Sequence, residues 1–375
     1  MPSRVRDQIF LGGVNLESWV RAKLRELVAI PSETGQEAAL LRYLEEELAR
    51  YGIPWARQPV NGDRYNLLLN PQPEPRLLID VHVDTVPIRL EGITCPLREE
   101  EDVVYGRGAC DAKGSLAAVL AAVHWWLDRP SPPPLPVTVA FTVDEENAGL
   151  GSEVLAQALK PRAALVMEPT ELAVCVAQAG SLVVRLAARG LAVHGSEFEQ
   201  GQNACSKLLN ALARLSSLSF LGREHPRLGR ADYNLRYLHG GAPELVVPAH
   251  CEAVVDFRLL PSMDLAAVQQ EVEAFWKAAE LEGEIVEVAP PYEISPEEPV
   301  VKLLGAAMRR ALEREPEIAG IKSWTDAENY HAVGVPAAVW GPGRLAVAHT
   351  PREHIRISEL ADAAGVLITL LGELG

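Results

Sequence analysis

Five short segments of this chain place a histidine or an acidic residue at the end of an apolar stretch or in a tight loop. The residues are His82 in segment 77–87, Asp111 in 105–115, Glu145 and Glu146 in 141–147, Glu168 in 165–170, and His349 in 347–351. Imidazoles and carboxylates are donors for divalent ions, Zn²⁺ first and Co²⁺ or Mn²⁺ nearly as well. Carboxylates gathered in a partly dry pocket repel one another unless cations balance them. If the segments converge, the set predicts two divalent metal ions.

Each segment taken alone has a simpler explanation. Side chains two apart on a strand share a face, so the Asp84 carboxylate is expected to accept the second N–H of His82, yet the same pair also fits a surface histidine beside an acidic loop. The run Asp144, Glu145 and Glu146 also fits a solvated acidic loop. The combination therefore carries the metal prediction.

Other classes of site fit the sequence poorly. The glycine-rich loop 105–115 has Asp111 where a dinucleotide fingerprint needs its third glycine, and an acid there repels pyrophosphate. Segment 341–346 fits such a fingerprint on paper but opens no predicted helix. The sequence has no GxSxG motif, which disfavours a serine hydrolase.

Composition sets the broad class of protein. The 375 residues are 48% apolar and carry a formal charge of −16, which argues against nucleic acid or an anionic membrane as the partner. No apolar run is long enough to span a bilayer, and the first residues lack the apolar core of a secretion signal. The five cysteines form no CxxC pair, so we expect a reducing, cytoplasmic location.

Hydrophobic periodicity predicts the elements that must position these residues. Helices are expected over 16–30, 36–51, 115–127 and 152–159, and strands over 65–69, 76–83, 136–143 and 163–167. Such alternation is typical of an α/β domain with a largely parallel sheet. Because three strands run into His or acid, their carboxyl ends are expected to meet at one edge, where open α/β sheets bind ligands.

The predicted order of strands and helices changes near residue 180. Strands are expected over 181–187, 245–247, 249–259 and 283–288, with helices over 203–215 and 265–280, which is the β-α-β-β-α-β order of a ferredoxin-like domain. A helix over 300–313, a strand over 337–340 and a helix over 357–371 follow. We therefore expect an α/β domain at 1–179 and 290–375, interrupted by a smaller domain at 180–289.

The order and spacing of HVDTVP, GRGACDAKG, DEENAG, MEPT and AHTPRE resemble the co-catalytic metallopeptidases and amidohydrolases. That family includes acetylornithine deacetylase, succinyl-diaminopimelate desuccinylase, aminoacylase and glutamate carboxypeptidase. The resemblance covers nearly the whole chain. It implies a zinc-peptidase-like catalytic domain, with a mostly parallel mixed sheet flanked by helices, and an inserted ferredoxin-like dimerisation or lid domain.

The resemblance also implies roles for individual residues. Asp111 would bridge two ions, preceding a cis peptide bond to Ala112, while Asp84 would orient His82. Glu145 would be the general base for a hydroxide that bridges the metals. The implied ligands are His82, Asp111 and Glu168 for one ion and Asp111, Glu146 and His349 for the other.

In the inserted region, GLAVHGS and GQNA resemble the same domain of the family. His194 would cross to the partner subunit of a homodimer and bind the scissile carbonyl oxygen. Arg258 would hold a substrate carboxylate, which suits its forked guanidinium, and Asn203 would contact substrate. The run Glu197-Phe198-Glu199 departs from the proline that many members carry after the His-x-Ser motif.

We therefore predict metal-dependent hydrolysis of the amide bond of an N-acyl amino acid, as in acetylornithine deacetylase. A dipeptidase, carboxypeptidase or desuccinylase with the same chemistry is the alternative, so the substrate is a small N-acyl amino acid or a short peptide. A non-catalytic ligand-binding member is disfavoured because the implied ligands and Glu145 are all present. An ornithine ammonium would need an acid nearby, for which Asp326 and Glu328 are candidates.

Overall fold

The computed structural model describes residues 5–50, 52–90 and 93–375, which form two compact units. The first comprises the described residues up to Val176 together with Ile294–Ala319 and Thr325–Gly375. The second comprises Ala177–Glu293 and Gly320–Trp324. Among the described residues, no helix is both long enough and apolar enough to cross a bilayer.

The elements follow in chain order. The α-helices are α1 (Leu16–Ala29), α2 (Ala38–Ala49), α3 (Lys113–Leu127), α4 (Leu150–Ala158), α5 (Ala204–Leu212), α6 (Leu265–Ala278), α7 (Pro299–Leu312), α8 (Ala327–Ala332) and α9 (Ile357–Leu374). The main strands are β1 (Trp55–Asn61), β2 (Arg64–Leu69), β3 (Leu78–His82), β4 (Thr138–Thr142), β5 (Ala164–Val166), β6 (Val174–Gln178), β7 (Gly180–Arg189), β8 (Tyr233–Gly240), β9 (His250–Leu259), β10 (Glu282–Ala289) and β11 (Ala337–Val339). Shorter strands are Phe10–Leu11, Val14–Asn15, Arg89–Leu90, Ile93–Thr94, Arg98–Glu100, Val103–Tyr105, Glu224–His225, Gly229–Arg230, Tyr292–Glu293, Ile318–Ile321 and His354–Arg356.

The first unit is built on a mixed sheet in the order β6-β11-β5-β3-β4-β2-β1. The four strands β11, β5, β3 and β4 are parallel to one another, while β6, β2 and β1 join antiparallel. This confirms the predicted fold class, a largely parallel sheet with flanking helices. Strand β1, which sequence periodicity did not predict, extends the sheet on the side of β2.

The strand register brings three carboxyl ends to one edge of the sheet. Thr142 at the end of β4 lies opposite His82 at the end of β3, and Val166 of β5 lies opposite Asp80 of β3. The loops that leave these strands therefore begin side by side. This is the convergence that the sequence predicts for strands ending in His or acid.

Helices cover the sheet and bury its apolar strands. The helix α3 packs against α1 and α9, and its residues Lys113–Val123 are all buried. Predicted helix bounds agree with the structure to within a few residues, for example 357–371 against Ile357–Leu374. The predicted end of α2 at Tyr51 lies outside the described residues.

The second unit contains a four-stranded antiparallel sheet in the order β8-β9-β7-β10, against which α5 and α6 pack. With its helices the unit has the predicted β-α-β-β-α-β order. The predicted strand over 245–247 was wrong, because that segment forms only an isolated bridge between Val246 and His194. The second strand is instead β8, whose residues are almost all exposed and so lack a buried, alternating face.

Candidate metal centre

His82 lies at the carboxyl end of β3 and is almost fully buried. Its Nδ1 lies 3.1 Å from the carbonyl oxygen of Asp84 and 3.6 Å from the Asp84 carboxylate. A carbonyl can only accept, so Nδ1 carries the proton in the neutral ring and the lone pair of Nε2 is left for a metal. That Nε2 lies 3.1 Å from Asp111 Oδ1 and 3.7 Å from Glu168 Oε1.

Asp111 lies between the two histidines. Its Oδ1 faces His82, and its Oδ2 lies 3.4 Å from His349 Nε2. The peptide bond to Ala112 is cis, as the resemblance implies. The preceding loop needs glycine at Gly108, where φ is +80° and a Cβ would come within 2.7 Å of Thr85 Cγ2. The loop thus presents one carboxylate to both imidazoles.

His349 completes a second group of donors. Its Nε2 lies 2.9 Å from Glu146 Oε2, and its side chain is 45% exposed. Donor atoms of Asp111, Glu146 and His349 all lie within 4.8 Å of one another, as do those of His82, Glu145 and Glu168. The grouping differs in one respect from the ligand sets that the resemblance implies, because Glu145 lies with His82 and Glu168. Asp111 contacts both groups through its two oxygens.

The carboxylate of Asp84 does more than face His82. It is fully buried and accepts the backbone N–H groups of Glu145 and Glu146 at 3.1 and 3.2 Å, and the Thr34 hydroxyl at 2.8 Å. Burial opposes ionisation, but the contacts with His82 keep the pKa of Asp84 below its usual value. Asp84 therefore orients His82 through its carbonyl oxygen and fixes the loop that bears both glutamates through its carboxylate, a second role that the sequence did not reveal.

That acidic loop is also held from its other side. Asp144 has a positive φ of 75° and is buried, and its Oδ1 accepts a hydrogen bond from Arg64 Nη1 at 2.7 Å. Arg64 also pairs with the buried Glu37. Sequence reasoning missed this arrangement, because Arg64 and Glu37 carry no local motif and meet Asp144 only in the folded chain.

The electrostatics of the two donor groups favour cations. Burial, followed by the charge of Glu168, raises the pKa of Glu145 well above its usual value, and burial and Asp111 do the same for Glu168. Hydrogen bonds with Asp111 and Glu146 raise the pKa of His349 to about 10. Glu168 Oε1 is buried with no hydrogen-bond partner. A buried acceptor without a donor, next to repelling carboxylates and two imidazoles, fits a pair of divalent ions.

Three predicted site residues lie in the second unit. His194 is exposed, and its Nδ1 accepts the backbone N–H of Ser196, so the neutral ring carries its proton on Nε2. Asn203 Oδ1 accepts the backbone N–H of Ser206 and caps α5. Arg258 is 39% exposed and donates hydrogen bonds to the Asp256 carboxylate at 2.8 Å and to the Lys322 carbonyl oxygen at 3.4 Å. His194 and Arg258 thus keep donor groups available to a ligand.

Comparison with known proteins shows what the chain resembles. It is 30% identical to a probable carboxypeptidase of Aspergillus terreus over 371 residues, 90% of this chain and 82% of that protein. A probable carboxypeptidase of Emericella nidulans is 29% identical over 372 residues, 90% of this chain and 85% of that protein.

Solved structures share the fold at lower identity. A tripeptidase from Staphylococcus aureus aligns with a TM-score of 0.78 at 21% identity, covering 96% of this chain and 98% of that one. The metallo-carboxypeptidase Sso-CP2 from Sulfolobus solfataricus aligns with a TM-score of 0.75 at 20% identity, covering 94% of this chain and 98% of that one. A dinuclear metal-binding peptidase from Bacillus subtilis aligns with a TM-score of 0.66 at 14% identity, covering 95% of this chain and 97% of that one.

The sequence model of one family, described as peptidase family M20/M25/M40, matches residues 78–373, which include every donor residue of both groups. The curated relatives extend the likeness over most of the chain. This chain therefore belongs to peptidase family M20/M25/M40 and is a metallohydrolase that acts on peptide or amide bonds.

Proposed function

We propose that the chain is a carboxypeptidase-like enzyme that hydrolyses a peptide bond in short peptides with a free C-terminal carboxylate. The observation that carries the proposal is the pair of adjacent donor groups joined through Asp111, with Glu145 beside them. The probable carboxypeptidases that match 90% of the chain support this substrate class.

Two divalent ions would be held by residues already close together, with Zn²⁺ favoured by the mixed nitrogen and oxygen donors and Co²⁺ or Mn²⁺ as alternatives. When bound, such ions supply positive charge that polarises a carbonyl and lowers the pKa of water. The proposed ligands are His82, Asp111 and Glu168 for one ion and Asp111, Glu146 and His349 for the other.

The chain's own residues would move the protons and hold the substrate. Glu145 accepts a proton from the attacking water and returns it to the leaving amine, which is general acid–base catalysis by one carboxylate. His194 of the partner subunit donates its Nε2–H to the carbonyl oxygen as negative charge develops there. Arg258 anchors the substrate carboxylate through its guanidinium N–H groups. Asn203, whose oxygen already caps α5, would contact substrate only through its amide nitrogen.

The acetylornithine-deacetylase-like activity is less favoured than peptide hydrolysis. Its substrate needs a partner for the ornithine ammonium. Of the two candidate acids, Asp326 is unsuited because it is only 1% exposed, while Glu328 is half-buried in α8 and stays a candidate. One Asp326 oxygen accepts from the Ser152 hydroxyl and the other lies 3.3 Å from the Thr142 hydroxyl. A buried carboxylate engaged in this way does not meet a substrate cation.

A substrate panel tests the proposal. Protein loaded with Zn²⁺, Co²⁺ or Mn²⁺ is assayed on N-blocked dipeptides, the same dipeptides with a C-terminal amide, N-acetyl and N-succinyl amino acids, and N-acetylornithine. We expect cleavage of the blocked dipeptides and a fall in kcat/KM of about 10- to 100-fold on amidation, since one charged hydrogen-bonding contact is lost. Preferential hydrolysis of N-acetylornithine, or equal rates on acid and amide, would contradict it.

We also propose that two copies associate through the second unit and that the protein works in the cytoplasm. Strand β8 is the edge of its sheet, and Leu235, Tyr237 and Leu238 are 41–46% exposed on it. An unpaired apolar edge favours strand addition by another chain. Free thiols at all five cysteines suit a reducing compartment.

Light scattering tests the dimer. We expect the wild-type protein to be dimeric and Tyr237→Lys to shift it towards monomer. Val286→Lys, at an exposed apolar position of the opposite edge strand β10, is the matched control and should leave the dimer intact. A monomeric wild type, or equal effects of both substitutions, would refute the proposed interface.

A further inference from the structure

Glu353 is a fully buried carboxylate that none of the roles above uses. Its Oε1 accepts the backbone N–H groups of Cys110 and Asp111, at 3.2 and 3.3 Å. Its Oε2 pairs with the guanidinium of Arg107, which is itself only 5% exposed. One carboxylate thus divides its two oxygens between a cation and two peptide groups.

The main chain of Glu353 also forms a hydrogen bond with the loop. The Glu353 carbonyl oxygen accepts the N–H of Gly106 at 3.2 Å, and Arg107 Nε donates to the carbonyl oxygen of Pro87 at 3.2 Å. Contacts from Glu353 therefore reach both ends of the segment that runs from Gly106 to Asp111. Few alternative positions of the loop would satisfy all these groups at once.

Glu353 also connects the two histidine-bearing parts of the centre. It lies four residues after His349 in the chain, and it holds the peptide N–H of Asp111, whose carboxylate oxygens lie 3.1 Å from His82 and 3.4 Å from His349. We propose that Glu353 is a positioning residue that fixes the Asp111 backbone so that its carboxylate serves both donor groups. This inference rests on the metal centre proposed above.

The competing explanation is that Glu353 only neutralises the buried Arg107. Replacing Glu353 alone would leave that guanidinium uncompensated, which destabilises a fold whatever else the carboxylate does. The test therefore removes the charge pair in both variants and changes only the hydrogen-bond acceptor. The variants are the double substitutions Arg107→Met with Glu353→Gln and Arg107→Met with Glu353→Met. Gln and Met have similar lengths, but only Gln offers an oxygen to the two N–H groups.

The main readout is metal affinity, measured by calorimetry with Zn²⁺ and by the visible absorption spectrum of Co²⁺. We expect the Gln double variant to bind with nearly wild-type affinity and an unchanged Co²⁺ spectrum. The Met double variant should lose about 10- to 100-fold in affinity, the usual cost of removing a group that orients a ligand. Its kcat on the best panel peptide should fall by more than its KM changes. Thermal melting of the metal-free proteins checks that both variants are folded.

Equal metal affinity in the two double variants would overturn the inference and leave Glu353 as a partner of Arg107 only. If the doubles do not fold, Glu353→Asp retains the charge but shortens the reach by one methylene, and unchanged metal affinity in that variant would overturn the inference as well. Absence of metal binding by the wild-type protein would instead refute the proposed metal centre, so the two failures are distinguishable.

Discussion

Replacement of Asp84 by alanine should weaken both the fold and the metal centre. The substitution leaves three donors without an acceptor, namely the N–H groups of Glu145 and Glu146 and the hydroxyl of Thr34. A buried donor left unsatisfied costs about 1–3 kcal/mol, and water entering the space of the lost carboxylate offsets part of that. We expect the free energy of unfolding to fall by about 3–6 kcal/mol, a large share of the roughly 5–15 kcal/mol typical of folded domains.

The same substitution frees the two glutamates and removes the anion beside His82. Residues that orient metal ligands typically contribute about 10- to 100-fold to metal affinity. Asp84→Asn retains one carbonyl acceptor and no charge, so its losses in stability and affinity should lie between those of the alanine variant and the wild type. Stability is measured by urea unfolding of the metal-free protein, and affinity by calorimetric titration with Zn²⁺.

Asp102 provides a matched control. It accepts hydrogen bonds from the backbone N–H and the hydroxyl of Ser358, at 3.0 and 2.6 Å, and so ties a turn to α9. Asp102→Ala should cost about 1–2 kcal/mol of stability, since Asp102 is only partly buried, and should leave metal affinity unchanged. If Asp84→Ala binds Zn²⁺ as tightly as the wild type, the role assigned to Asp84 is wrong.

Three further outcomes are expected. Glu145→Gln should bind both ions yet lose about 10²- to 10⁴-fold in kcat, measured on the best panel peptide, and a near-normal kcat would exclude Glu145 as the base. Removal of metal by a chelator should lower Tm, since about 2.7 kcal/mol is lost when a ligand at 100 times its Kd is withdrawn, and an unchanged Tm would contradict a metal-linked fold. Lys23→Met should lower the free energy of unfolding without changing kcat, because Lys23 bridges Glu26 and the buried Glu47. Burial opposes ionisation of Glu26, but the hydrogen bond from Lys23 lowers the pKa of Glu26 from 4.5. The stability that the Lys23–Glu26 pair contributes should therefore be present near neutral pH and be lost as the pH falls below about 4.5, measured by urea unfolding at several pH values. A difference between wild type and variant that grows on acidification would refute this assignment.

Sequence predicted the features that depend on local pattern. Buried strands β3, β4 and β5 are rich in apolar residues, and the residues that end or follow them do come together at one edge of the sheet. The motif spacing supplied the resemblance that assigned a bridging role to Asp111 and a cis bond to Ala112, and the bond is cis. Periodicity and motif order were sufficient here because the signal lies within single segments.

Features that depend on distant contacts could not be predicted in the same way. Strand β8 escaped notice because its exposed residues carry no two-residue alternation, and the apolar stretch at 245–247 was mistaken for a strand in its place. The second role of Asp84 and the pairing of Glu353 with Arg107 join segments as much as 246 residues apart. No short window of sequence contains both partners, so only the folded chain reveals these contacts.

The position of β11 has a consequence for biosynthesis. This strand is inserted between β6 and β5, although about 170 residues of chain separate it from the end of β5. A ribosome that adds roughly 5–20 residues per second needs about 10–30 seconds to cover that distance. Throughout that interval the edge of β5 that β11 covers has no partner from β11, and a polypeptide truncated before β11 would keep those backbone groups open to pairing with other chains.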